Sequence, residues 1–141
     1  MSQLGLFDVE NRLSELSAMG DPLEKLDKVI TWSKFKPLIN KAFRQERQSN
    51  AGRPPYDYLL MFKILVIQSM YNLSDEQAQF QILDRHTFKR FLGIRDESRI
   101  PDQKTIWLFR ETLTQRGVIR KLFDQFDRYL VSAGFIAKRD R

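Results

Sequence analysis

His86 is the only imidazole in the chain, and no cysteine accompanies it. Acyl transfer or acid/base catalysis needs a nucleophile beside a base, whereas His86 stands among Arg85, Lys89 and Arg90 in what reads as a turn. That is the setting of a surface or capping residue. No His-x-x-x-His, Glu-x-x-His or clustered-Asp spacing offers a set of metal ligands, and no Gly-rich loop offers a cradle for a nucleotide. Without cysteine, disulfides, zinc–thiolate sites and a thiol nucleophile are excluded, and the composition fits a reducing compartment. Catalysis has little support from these residues, and no cofactor is expected in this chain.

What remains is a set of cations and amides placed at helix starts, a pattern suited to nucleic acid. Two helix-turn-helix candidates contain them. One pairs a helix beginning after Ser74 with a short helix over Phe88–Leu92, which places Arg85, His86, Lys89 and Arg90 on the turn and outer face of its second helix. The other pairs that short helix with one beginning after Asp102. There Gln103, Lys104 and Thr105 would meet base edges while Arg110 reaches a backbone phosphate. Its connecting loop, Ile94 to Ile100, is longer than the usual turn. Upstream, Gly52-Arg53-Pro54 reads either as a plain linker or as a short basic hook for a groove. The alternative for every one of these side chains is an ordinary solvated helix face.

These residues need a scaffold, and the pattern is all-α, with no strand-period segment and no internal repeat. Its centre is Gly52 to Gln77. From Leu59 to Met70 the apolar residues surround the helix, and the exceptions Lys63, Gln68 and Ser69 form no polar stripe, so this helix must sit among others. Arg53-Pro54-Pro55 cannot be helix interior, which leaves Asp57 to cap the start. Ser74-Asp75-Glu76-Gln77 has capping-box spacing and opens the next helix, with Ala78, Ile82 and Leu83 facing the core until Asp84-Arg85-His86-Thr87 interrupts it.

Ahead of the centre, a first helix is expected from about Asp8 to Met19, then one capped by Asp21 with Leu23, Leu26, Val29 and Ile30 inward. A third, after Thr31-Trp32-Ser33, carries Phe35, Leu38, Ile39, Ala42 and Phe43 inward. Behind the centre, Gly93 stops the short helix. The Asp102-capped helix buries Ile106, Phe109 and Leu113 and ends at Gly117, and a last helix turns Val118, Leu122, Phe126, Tyr129 and Leu130 inward. The expected fold is a compact multi-helix domain of about seven or eight helices. N-terminal helices occupy 1–46, a linker 47–55, and a helical core with helix-turn-helix-like elements 56–134.

A chain of 141 residues suffices for one domain with a core of its own. The start has no basic region ahead of an apolar run, and the longest apolar stretch falls short of the roughly 20 residues of a membrane span. A soluble protein with no membrane partner is expected. The net charge of +6 is uneven: residues 31–55 carry 6 bases and 1 acid, residues 85–141 carry 14 and 7, and the stretches 1–30 and 56–84 are acidic. Arg outnumbers Lys 14 to 10, which favours bidentate phosphate contact, although a basic but merely soluble surface fits the same counts.

Arg53-Pro54-Pro55-Tyr56, Leu60-Met61-Phe62-Lys63-Ile64-Leu65, Leu73-Ser74-Asp75-Glu76, Phe91-Leu92-Gly93 and Pro101-Asp102-Gln103-Lys104-Thr105-Ile106-Trp107-Leu108-Phe109-Arg110 follow one another in order. This series resembles the N-terminal domain of bacterial insertion-sequence transposases, in the branch called insertion sequence family five, and it covers nearly the whole chain. The resemblance implies an all-helical domain that helps recognise the terminal inverted repeats of the element, acting on double-stranded DNA in a bacterial, nucleoid-associated cytoplasmic setting. In such relatives a ribonuclease-H-like domain follows, whose Asp, Asp and Glu hold two divalent metal ions for strand cleavage and transfer. No positions here match those carboxylates, so the catalytic domain and its metals are expected to be absent from this chain, and strand transfer with them. Asp75, Glu76 and Asp102 read as helix-start residues. The DNA contacts are expected at Arg53, Arg85, Lys89, Arg90, Gln103, Lys104, Thr105 and Arg110. The rival reading is a module that pairs transposase subunits, as a homo-oligomer or with a full-length transposase, and its motive is the aromatic set Phe7, Trp32, Trp107 and Phe135.

Overall fold

A computed structural model describes residues 21–44 and 56–135, and among them seven α-helices and no strand are found. The expected all-α class holds. The helix foreseen over Asp8–Met19, the linker 47–55 with Arg53, and Phe7 lie outside the described residues.

Helix α1 is Pro22–Val29, capped by Asp21, whose carboxylate accepts from the Leu23 N–H, with proline in the first turn. Leu23, Leu26 and Ile30 are buried as the spacing predicts, but Val29 is exposed. The chain then makes a 3-10 turn over Trp32–Phe35 before α2, Lys36–Ala42, so the third helix begins later than expected. Pro37 explains the boundary, since it lies in the first turn, where its missing N–H costs nothing.

Helix α3, Tyr58–Tyr71, is the central element. Asp57 caps it, accepting from the Leu59 N–H, and Met61, Phe62, Ile64, Leu65, Val66, Ile67 and Met70 are all buried. It packs on α2, on the 3-10 turn and on α4, α5 and α6, introduced below. Burial on nearly all sides is why no polar stripe exists in its sequence.

The polar exceptions Lys63 and Gln68 have partners within the fold. Lys63 donates to the Phe91 carbonyl at 3.0 Å, lies 3.5 Å from the Asp27 carboxylate, and sits over the rings of Trp32 and Phe91. A half-buried ammonium is tolerable because both a carboxylate and two π faces surround it. Gln68 donates to the Leu73 carbonyl and to Asp75.

Asn72 ends α3 in the left-handed conformation, and the capping box forms in full. The Ser74 hydroxyl accepts from the Gln77 N–H while the Gln77 side chain accepts from the Ser74 N–H. Helix α4 is Asp75–Asp84 and α5 is His86–Leu92. The break between them is one residue, Arg85, so His86 and Thr87 belong to α5 and not to an interruption. Leu83 is exposed, contrary to its expected core position, while Ala78 and Ile82 are fully buried. At ten residues α4 presents only a narrow buried edge, and Leu83 falls on its flank.

Helix α6, Gln103–Gln115, is capped by Asp102 and buries Ile106, Phe109 and Leu113 as expected. Gly117, at φ +73, reverses the chain into α7, Ile119–Ser132, which buries Leu122, Phe126 and Leu130. Phe123 is buried as well, which the spacing did not suggest, and Tyr129 is half-buried. Phe35, Phe62, Phe123 and Phe126 meet with Trp32 in one aromatic core that joins the 3-10 turn, α3 and α7. No helix among the described residues is long and apolar enough to cross a membrane.

Candidate functional site

Helices α4 and α6 pack on one another more extensively than any other pair. They run antiparallel, since Asp75 at the start of α4 meets Arg110 late in α6, while Gln79 accepts from the Gln103 N–H at the start of α6. The Arg110 guanidinium grips both Asp75 oxygens, at 2.7 and 2.6 Å, and also donates to the Gln68 oxygen at 3.3 Å. Gln68 in turn donates to Asp75 at 2.8 Å, so three helices meet in one polar knot.

Burial pushes the Asp75 carboxyl up, but the hydrogen bonds from Arg110 and Gln68 and the Arg110 charge outweigh it and hold the group below its ordinary value. Arg110 is thus engaged in an internal bidentate pair, and its geometry is that of a clamp between α3, α4 and α6 rather than an outstretched phosphate ligand. Asp75 is more than a helix-start residue.

Lys89 is likewise turned inward. It donates to the Leu83 carbonyl at 2.9 Å and pairs with Glu97 at 2.7 Å, which ties the loop after α5 back to the end of α4, and its side chain is only 18% exposed. Its expected place on an outer face is corrected accordingly. Arg90 is exposed and lies 3.5 Å from Asp21, at the cap of α1. Arg85 is exposed, with its guanidinium over the rings of Tyr71 and Phe88. His86 is exposed in the first turn of α5.

At the start of α6, Gln103 and Lys104 are exposed, and Thr105 is half-buried with its N–H bonded to Asp102. That N–H, ahead of a second bond from the Thr105 side chain, holds the Asp102 carboxyl below its ordinary value. One turn further along the same outer face stand Trp107 and Leu108, 47% and 51% exposed. Phe80 and Leu83, 60% and 46% exposed, stand on α4. Of these four exposed apolar residues, the sequence marks only Trp107 and places Leu83 in the core, because each alone fits an amphipathic helix. Of the other aromatics that motivated a pairing module, Trp32 is half-buried against the core and Phe135 is buried.

Neither expected helix-turn-helix pairing has the usual shape. One residue joins α4 to α5, too tight for the motif's turn. Helices α5 and α6 are ten residues apart, and α5 packs mainly on α1, α3 and α4, whereas α6 packs on α2, α3, α4 and α7. The short, glycine-bearing turn the motif calls for lies instead between α6 and α7 at Arg116-Gly117-Val118. Among the described residues, no three of His, Asp and Glu gather where they could share a metal ion.

Fold and surface together define a small all-helical domain in which Gln103 and Lys104, in the first turn of α6, are exposed above a clamped interior. Residues 11–112 match a family described as Transposase domain (DUF772), and the chain belongs to that family. The match covers α1 to α5 and α6 as far as Thr112, and leaves α7 outside it. No solved structure matches the chain.

Proposed function

We propose that this domain binds double-stranded DNA at the ends of its element, as the recognition part of a transposase of insertion sequence family five. In this reading strand cleavage by the Asp, Asp and Glu chemistry of that class belongs to a separate catalytic domain. The observation that carries it is the outer face of α6, where Gln103 and Lys104 extend from the first turn of a helix that Asp102 caps and Arg110 clamps.

Glutamine suits adenine and lysine suits guanine in the major groove, and a recognition helix reads bases with its N-terminal residues. Leu108 on the same face offers apolar contact for a thymine methyl. Arg85 serves as a backbone contact at one flank, Arg90, paired with Asp21, contributes less, and Arg53 is retained as a groove contact. Lys89 and Arg110 act through the scaffold.

The test is Gln103→Ala with Lys104→Ala, assayed by fluorescence anisotropy on a duplex carrying the terminal inverted repeat and on a scrambled duplex. Preference for the repeat is expected to fall by on the order of 10-fold or more, at about 1–3 kcal/mol per base-reading contact, with little change on the scrambled duplex. Unchanged preference would move base reading off α6.

A second reading is favoured by Phe80, Leu83, Trp107 and Leu108, since four large apolar side chains exposed on two adjacent helices suit a protein partner. Under it the domain pairs transposase subunits. A dimer that survives dilution in light scattering and ignores added DNA would favour pairing. A monomer at all concentrations would remove it.

A further inference from the structure

The two basic stretches of the sequence are far apart in the chain, and the fold brings parts of both to one surface. Gln125, on α7, donates to the Lys34 carbonyl at 3.1 Å across 91 positions and to the Tyr129 hydroxyl at 2.8 Å. The Lys34 ammonium lies over the Tyr129 ring, and the Phe35 ring meets the same tyrosine. The 3-10 turn is thereby seated against the outer edge of α7, and α2 packs on α7 directly beyond it.

Lys121 and Arg128 lie one turn to either side of Gln125 on α7, at the spacings that place side chains on one helix face. Both are exposed, as are Lys34 and Lys36 on the opposing segment. From Thr31 to Arg44 there are four bases and no acid. Among the described residues, Lys63, Lys89, Arg90 and Arg110 are held in ion pairs with Asp27, Glu97, Asp21 and Asp75, whereas no ion pair takes Lys36, Lys121 or Arg128. One carboxylate, Asp124, is exposed between Lys121 and Arg128, and Asp127 is half-buried beside them.

We infer that Lys34, Lys36, Lys121 and Arg128 form a phosphate-contact surface for the backbone of duplex DNA, separate from the α6 face that reads bases. It rests on the DNA-binding reading above. A cation already paired in the free protein gains little from a phosphate, whereas an unpaired one releases the counterions that phosphate holds. This surface therefore supplies affinity irrespective of sequence, and its helix α7 lies outside the residues that match the family.

The experiment is the salt dependence of duplex binding for the intact chain and for two variants, with circular dichroism confirming the fold. In the triple variant Lys36→Gln, Lys121→Gln, Arg128→Gln, the slope of log affinity against log salt is expected to fall by about 3, equally on repeat and scrambled duplexes. In Asp124→Asn, affinity for both duplexes is expected to rise. A triple variant that keeps the slope of the unaltered chain overturns this surface while leaving DNA binding itself intact. If the unaltered chain binds neither duplex even at low salt, the DNA reading fails and this surface with it.

Discussion

At the scale of single residues, charge alone does not tell which cations face outward. Arg110 and Lys89 look like DNA ligands in the sequence, Lys89 for the cations beside it and Arg110 for its place on the helix that opens with Gln103, Lys104 and Thr105. Their partners Asp75 and Glu97 lie 35 and 8 residues away, and only folding brings the nearer oxygens within 2.6 and 2.7 Å. Asp75→Asn is predicted to lower unfolding stability by about 1–3 kcal/mol in urea denaturation, between the values typical of exposed and of buried pairs. The pH dependence has a definite sign. Because the folded carboxyl is held below its ordinary value, its stabilisation is present above roughly pH 4 and is lost as pH falls through the lower folded value. The stability gap between the unaltered chain and Asp75→Asn should therefore narrow on acidification. Arg110→Ala should lower the melting temperature, while Lys104→Ala should leave it unchanged and weaken DNA binding.

At the scale of elements, the boundaries were the most legible feature of the sequence. Asp21, Asp57, Ser74 and Asp102 each cap the helix expected of them, because an N-cap is a local hydrogen bond that short spacing specifies. Ser74→Ala is predicted to cost about 1 kcal/mol, read as a shift in the urea midpoint. The pairing of helices was less legible, since it depends on which buried faces meet. The α6–α7 turn illustrates this. Its Gly117 was read only as a stop, yet its left-handed backbone lets the Val118 N–H reach the Leu113 carbonyl at 3.0 Å and sends α7 back across the core. Gly117→Ala meets no neighbour within 4 Å, so its predicted cost of about 1–2 kcal/mol is conformational, and Gly117→Asn should recover part of it.

At the scale of the whole molecule, the all-α class and the central helix α3 were legible because a helix apolar on every side has only one place to go. The candidate site was legible in part. Gln103 and Lys104 stand exposed as the spacing suggested, but the surface at the 3-10 turn and α7 depends on a contact spanning 91 residues, and no local pattern signals it. The molecule is a clamped helical scaffold of the transposase-domain family, for which we propose one face toward bases and another toward phosphates. Salt dependence of the unaltered chain on duplex DNA tests this proposal most directly, by fluorescence anisotropy on the terminal inverted repeat from low to moderate ionic strength. The account predicts that log affinity falls linearly with log salt, with a slope corresponding to several phosphate contacts. Affinity that does not change with salt would contradict it.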